Sequence, residues 1–301
     1  MEKNPRIDCI LDCNADIGEG AIWSSYHEAL FWVDIPNGHL CRFDPETNSN
    51  EIWEMGKPIG CFALKENDQA IVALSDGFYE FDFQSEKLIF IGDPEMDKPG
   101  NRFNDGTTDI KGRFIAGTMP INEYKNTENP QGSLYCLNEN RKISTIMSDF
   151  FIVNGLTFSP DGTTAYVSDT HKSIQTIWSY DYNIDQAKWS NKRVFFDAHS
   201  VSGRPDGGAM DTDSCYWMAG VGGWELIRIT PKGQIDLKIK MPIEKPTRIA
   251  FGGKNLDTLY VTSIGKNRIT QGTQKLQPYA GGLFVLKVPG VQGIALPYFV
   301  G

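Results

Sequence analysis

The chain has 301 residues, 40% of them apolar and 22% charged, with 29 Lys and Arg against 38 Asp and Glu for a formal net charge of −9. A chain of this length and apolar share buries a core without disulfide staples, and its composition excludes disordered, collagenous and coiled-coil classes. The acidic balance, with no run of Lys and Arg to offset it, sets the chain against phosphate backbones, so nucleic acid is not an expected partner.

Residues 1–8 are charged and lack an apolar stretch followed by a small-residue cleavage site, so no secretory signal is read there. The longest apolar runs, residues 29–33 and 71–74, fall far short of a membrane span. A cytoplasmic protein without a membrane partner is expected. Cys9, Cys13, Cys41, Cys61, Cys136 and Cys215 are scattered with no Cys-x-x-Cys pair, which predicts reduced, mostly buried thiols and no structural metal held by them.

Runs of aromatic and β-branched residues alternate with Gly, Asp and Asn turns along the whole chain, and no long helical period interrupts them. In chain order, a lone strand at residues 7–11 comes first. A module follows: Gly20-Ala21-Ile22-Trp23, Leu30-Phe31-Trp32-Val33, then residues 39–43 and 51–53. The second module reads Gly60-Cys61-Phe62, Ala70-Ile71-Val72-Ala73, 77–81 and 88–91; the third contains Arg113-Phe114-Ile115-Ala116, 132–137 and 143–146. The fourth is Gly155-Leu156-Thr157-Phe158, Ala165-Tyr166-Val167-Ser168, 176–180 and 193–196, and the fifth contains Tyr216-Trp217-Met218-Ala219, 225–229 and 235–239. The sixth, Thr247-Arg248-Ile249-Ala250-Phe251, Leu259-Tyr260-Val261-Thr262 and 282–286, lacks a clear fourth strand.

The module recurs about every 40 to 55 residues, the period of four-stranded propeller blades. Residues 7–11 are free to complete the sixth blade, which would close the ring and remove two exposed sheet edges. An all-β, six-bladed β-propeller spanning residues 1–301 as a single domain is therefore expected. Short strands at regular spacing also suit a β-sandwich, but sixfold recurrence of one strand order favours the propeller. Trp32, Trp178 and Trp217 fall in strand registers and are expected between blades.

In a propeller the starts of the innermost strands ring one mouth of the pore. Reading that register down the modules gives Glu19, Ile59, Asp105, Asn154, Asp206 and Thr247. Any one of these acids could merely cap a turn, but three carboxylates and an amide on one axis repel and are costly to desolvate, a conflict that a divalent cation removes. Glu19, Asn154 and Asp206 offer hard oxygen donors suited to calcium, magnesium or manganese, with zinc also open. No Gly-x-Ser-x-Gly elbow, His-Glu-x-x-His or Walker A stretch occurs, so the usual marks of serine hydrolases, zincins and P-loop enzymes are missing. Arg248, one residue past Thr247, either contacts substrate or balances charge. Thr170 and Asp169 are candidates to support Asn154.

The segments Gly18-Glu19-Gly20-Ala21-Ile22-Trp23, Arg102-Phe103-Asn104-Asp105-Gly106, Gly117-Thr118-Met119, Asn154-Gly155-Leu156, Val167-Ser168-Asp169-Thr170, Gly203-Arg204-Pro205-Asp206-Gly207 and Ala280-Gly281-Gly282-Leu283-Phe284 resemble, in order, those of the gluconolactonase and regucalcin (senescence marker protein) family. The resemblance implies a six-bladed propeller that hydrolyses a small sugar lactone, gluconolactone-like, at one bound divalent metal. It implies metal ligands at Glu19, Asn154 and Asp206, with Arg102 and Asn104 on substrate hydroxyls. Animal members carry a substrate-touching Glu three residues after the Gly-Thr-Met motif, whereas here Asn122 stands there with Glu123 adjacent, so both join the expected substrate set and the sugar preference stays open. Asp206 is the expected general base, with Asp105 in reserve. Hydrolysis of organophosphates or other esters at the same metal, and a calcium-binding propeller without turnover, are the alternatives.

Overall fold

The computed structural model describes residues 5–122 and 129–301. They form six four-stranded antiparallel sheets, five of them running outward from the pore in sequence order. Blades 1 to 6 comprise residues 18–54, 59–92, 101–150, 153–197, 204–240 and 246–286. The expected six-bladed β-propeller is the fold. Blade 6 takes its fourth strand from Ile7–Leu11, which pairs antiparallel with Leu283–Leu286, Ile7 opposite Leu286. Joining the chain's two ends in one sheet leaves no gap in the ring.

The innermost strands, Gly18–Ser24, Ile59–Lys65, Asn101–Thr108, Val153–Phe158, Arg204–Met210 and Pro246–Gly252, line the pore and are buried nearly throughout. The outermost strands alternate toward solvent, as in Ser49–Glu54 and Lys87–Gly92. Because both faces of each sheet meet a neighbouring blade, the apolar core divides into six clusters, one at each junction. Phe31, Val33 and Leu40 meet Phe62 and Val72 between blades 1 and 2; Trp23, Trp32 and Phe43 meet Tyr260 and Leu283 between blades 6 and 1. Trp32 and Trp217 are core as expected, while Trp178 is half-buried with the Lys192 ammonium 4.0 Å above its ring. All six cysteines are free, four of them buried. Among the described residues, no helix is long and apolar enough to cross a membrane.

Sequence periodicity did not reveal the C-terminal strap. After blade 6 the chain crosses the lower face of the ring. Gly293 N donates to Leu256 O (2.8 Å), Thr108 Oγ1 to Pro297 O (2.6 Å), Phe299 N to Leu64 O (2.7 Å) and Val300 N to Gly112 O (3.0 Å). The strap thus ties blade 6 to blades 2 and 3 below the pore.

Ring closure predicts a large cost for removing Ile7–Leu11, since one blade then exposes an edge and its apolar contacts with Leu283–Leu286 are lost. Deletion of residues 1–11 is expected to lower the thermal midpoint by on the order of 10 °C, followed by circular dichroism. An unchanged midpoint would show that the sixth blade stands without its closing strand.

Candidate active site

Each inner strand carries an irregularity near its upper end. In blade 1 Glu19 faces Val33 and Ile22 faces Phe31, so two residues oppose one. The same offset follows Phe103, Asn154, Pro205 and Pro246, and a one-residue shift follows Ile59. Such bulges bend a strand and re-aim its side chains. They also correct the expectation of a single register: Glu19, Ile59 and Asn154 are the last paired residues before the bulge, Asp206 and Thr247 are the first within it, and Asp105 is the second. Gly155, at φ +63° in the bulge of blade 4, has no room for a side chain, since a Cβ would lie 2.4 Å from the Tyr216 hydroxyl. That hydroxyl donates to Gly155 O at 2.8 Å, fixing the bulge.

Despite their offset, Glu19 of blade 1 and Asp206 of blade 5 meet. Both are buried, at 6% and 5% exposure, and their carboxyl groups are hydrogen-bonded to each other. Glu19 Oε2 also accepts from the Gly20 N–H of its own bulge at 2.9 Å. Burial, followed by the nearby charge of Asp105, pushes Glu19 above the ordinary carboxylate range. Burial, then the charges of Glu19 and Asp105, pushes Asp206 well above it. Desolvated like charges resist losing both protons, so the pair holds one between them unless a cation arrives.

Asn154 is fixed by a relay across three blades. Arg102 Nη1 donates to Asn104 Oδ1 (2.8 Å) and Phe103 O (2.8 Å); Asn104 Nδ2 donates to Asn154 Oδ1 and Val153 O, both at 3.0 Å. Asn154 Nδ2 donates to Thr170 Oγ1 (2.7 Å), which donates to Pro205 O (2.6 Å), the residue before Asp206. The expected support from Thr170 is thus a direct contact. Asp169 instead accepts from the backbone N–H groups of Phe151, Ile152 and His171.

Asp105 is held differently from the other two acids. Its Oδ1 accepts from Gly106 N (2.8 Å) and from Arg248 Nη1 (2.7 Å), while Oδ2 accepts from Leu156 N (2.9 Å) in the bulge of blade 4. Blades 3 and 6 face each other across the ring, so the Arg248–Asp105 ion pair, 3% and 2% exposed, spans the pore. Arg248 is therefore a strut beneath the mouth that neutralises the third carboxylate. Burial still raises Asp105, opposed by Arg248 and by the donating N–H groups.

Beside Arg102 and Phe103 a cleft of about 250 Å³ opens on the upper face between blades 2 and 3. Its inner wall holds Glu95, a residue that sequence reasoning missed because no motif or spacing marks it. Glu95 accepts from Asn101 Nδ2 (3.0 Å), Thr118 Oγ1 (2.9 Å) and Tyr135 OH (2.9 Å), which anchors the segment leading into Arg102. Asn122 is exposed on the loop after Met119 and Pro120, and Glu123 lies outside the described residues. His199 is an exposed partner of Asp197, away from these contacts.

Among the described residues no three of His, Cys, Asp and Glu gather in a metal-binding cluster. Arg248 occupies the Asp105 carboxylate, which leaves Glu19, Asp206 and the amide of Asn154 as the groups that could hold a cation. Two buried acids sharing a proton, with the Asn154 amide fixed on the neighbouring blade, are oxygen donors of the kind that fits a hard divalent ion, and without His or Cys they do not form a closed zinc site.

A six-bladed propeller with two buried, hydrogen-bonded acids from different blades at its pore is thus what the geometry defines. Residues 17–265 match the model of the SMP-30/gluconolactonase/LRE-like region. The chain belongs to that family, as its motifs imply. It is 34% identical to a 6-deoxy-6-sulfogluconolactonase of Pseudomonas putida, covering 99% of this chain and 100% of that one. It is 33% identical to a regucalcin of Xenopus laevis, covering 98% and 99%. Its fold is that of a calcium-binding regucalcin from Agrobacterium tumefaciens, with a TM-score of 0.90 at 24% identity over 98% of this chain and 97% of that one.

The raised carboxyls make stability depend on pH. Groups whose folded pKa lies above the unfolded value of about 4 bind protons more tightly when folded, so stability is present at low pH and lost as pH rises through the folded values. The thermal midpoint of chelator-treated protein is expected to fall from pH 5 to pH 8, and Asp206→Asn, which removes the second acid, is expected to flatten that slope. An equal slope in the variant would contradict the pairing.

Proposed function

We propose that the chain hydrolyses a sugar lactone of the gluconolactone type at the upper pore mouth, with one divalent cation held by Glu19, Asn154 and Asp206. The observation that carries this reading is the buried Glu19–Asp206 pair, whose carboxyls are hydrogen-bonded to each other and pushed above the ordinary carboxylate range by burial and by the charge of Asp105, with the Asn154 amide held on the neighbouring blade. Relatives named as a sulfogluconolactonase and a regucalcin, at 34% and 33% identity over nearly the whole chain, support the substrate class and the cation. Calcium, magnesium, manganese and zinc are the candidate ions. When bound, such an ion supplies Lewis-acid polarisation of the lactone carbonyl and lowers the pKa of a nearby water.

The chain's own groups divide the remaining tasks. Asp206, with a carboxylate oxygen to spare, takes the proton of the attacking water and later returns it to the ring-opening oxygen. Asp105 is an unsuitable base because both its oxygens already accept hydrogen bonds and one carries the Arg248 guanidinium. Arg102, at the edge of the upper cleft, turns its forked donors toward substrate hydroxyls. Asn104 acts by orienting Asn154 and Arg102, both of which it already contacts. Asn122 and Glu123, on the loop following Met119, set which sugar fits.

With a panel of aldonolactones in a pH-indicator assay, Asp206→Ala is expected to lower kcat/KM by roughly a thousandfold. Arg102→Ala is expected to raise KM about tenfold with little change in kcat. After chelation, added calcium, magnesium, manganese or zinc should restore wild-type turnover and leave Asp206→Ala inactive. Near-normal turnover by Asp206→Ala would remove the assignment, as would wild-type turnover that is indifferent to chelation. Metal binding without turnover of any lactone would leave a calcium-binding propeller, and turnover confined to phosphotriesters would move the substrate class.

A further inference from the structure

The carboxylate of Glu95, on the connection between blades 2 and 3, is 6% exposed and receives donors from the inner three strands of blade 3. Its Oε1 accepts from Thr118 Oγ1 and from Tyr135 OH, both at 2.9 Å, and its Oε2 accepts from Asn101 Nδ2 at 3.0 Å. Asn101 opens the first strand of the blade, Thr118 lies on the second and Tyr135 on the third. The Lys98 ammonium stands 3.5 Å from Oε1. An ionised carboxylate accepts about four such bonds and donates none, so it suits a shell made only of donors.

Two of those donors have a second acceptor in common. Asn101 Nδ2 also donates to Gln131 O at 3.0 Å, and Lys98 Nζ donates to the same oxygen at 3.4 Å. Gln131 immediately precedes the strand Gly132–Leu137 and ends the loop that begins after Pro120. At the start of that loop, Ile121 N donates to Gly100 O at 2.8 Å, one residue before Asn101. A single buried carboxylate therefore holds the side chains that fix the residue preceding Arg102 and the return of the loop in which Asn122 and Glu123 stand.

The isosteric amide cannot reproduce this arrangement. Glu95→Gln offers one acceptor oxygen where the carboxylate offers two. With that oxygen kept on Thr118 and Tyr135, the new NH2 meets the Asn101 NH2, donor against donor. Turning the Asn101 amide over brings its Oδ1, which is buried without a partner, to the new NH2 but sets it against Gln131 O. In either arrangement one of two contacts is lost, Glu95 to Asn101 or Asn101 to Gln131.

We propose that Glu95 is a positioning residue for sugar recognition: through Asn101 and Lys98 it fixes Arg102 and the 121–131 loop where they select a hydroxyl-bearing lactone over a plain one. The proposal rests on the reading above that Arg102, Asn122 and Glu123 meet the substrate's hydroxyl groups, and it gives Glu95 no contact with the reacting atoms.

Steady-state kinetics of the full chain with gluconolactone and with δ-valerolactone, which keeps the ring ester but has no hydroxyl groups, read this selection directly. Glu95→Gln is expected to raise KM for gluconolactone about tenfold, with kcat and the δ-valerolactone parameters within about twofold of wild type. Asn101→Ala should act alike, and the double variant should be no worse than either, since each breaks the same connection. Tyr135→Phe removes one donor but leaves Asn101 and Lys98 in place, so it should lower the thermal midpoint and keep the selectivity. Hydrogen exchange at residues 121 and 131–133, a readout that needs no turnover, should be faster in Glu95→Gln than in Tyr135→Phe. Equal losses on both lactones, an equal loss of selectivity in Tyr135→Phe, or exchange unchanged by Glu95→Gln would overturn the role of Glu95. Wild-type protein that turns over gluconolactone no better than δ-valerolactone would instead overturn the reading of the substrate site, and the proposal with it.

Discussion

Glu19 and Asp206 stand carboxyl to carboxyl in the interior of a closed ring, and this enforced proximity is the constraint around which the site is built. Desolvated like charges push apart unless the backbone beneath them has nowhere to go. Here it has nowhere to go because the two strands belong to different blades, each wedged between neighbours by its own apolar cluster. The closing strand Ile7–Leu11 completes the ring and makes the wedge continuous. Stability stored in six inter-blade cores thus holds in place a pair that would not assemble alone.

The bulges turn this rigid ring into a site. Regular inner strands would alternate side chains between the two adjacent junctions, leaving little but backbone at the pore. The extra residue in each strand breaks the alternation and frees N–H groups, which Glu19 and Asp105 take up at Gly20, Gly106 and Leu156. Three carboxylates then face the axis, and the Arg248 guanidinium pairs with one of them, leaving two that share a proton. Arg248 sets that number: by pairing with Asp105 across the pore it separates an acid that supports from two that remain available.

Much of this was legible in the sequence. Sixfold repetition identifies the blades because each must present the same four-strand order to equivalent neighbours, and the missing strand of the last repeat points to the N-terminus. Glu19, Asn154 and Asp206 stand out since polar residues recur where packing has no use for them, whereas Arg102 is marked only by the motif that resembles the family's. What could not be read is what depends on irregularity. A bulge adds residues that periodicity cannot see, so the in-line register was off by one or two at Asp206, Thr247 and Asp105. The partner of Arg248 lies 143 residues away, and Glu95 and the C-terminal strap work through contacts that leave no spacing in the sequence.

The central claim is that the two shared acids are the seat of a divalent ion, and proton release on binding tests it most directly. Chelated protein titrated with calcium in two buffers of different ionisation enthalpy, near pH 6, is predicted to take up one ion per chain and release a proton as it does so. Both signals should disappear in Asp206→Asn. Uptake without proton release, or uptake undiminished in that variant, would place the ion elsewhere and contradict the account.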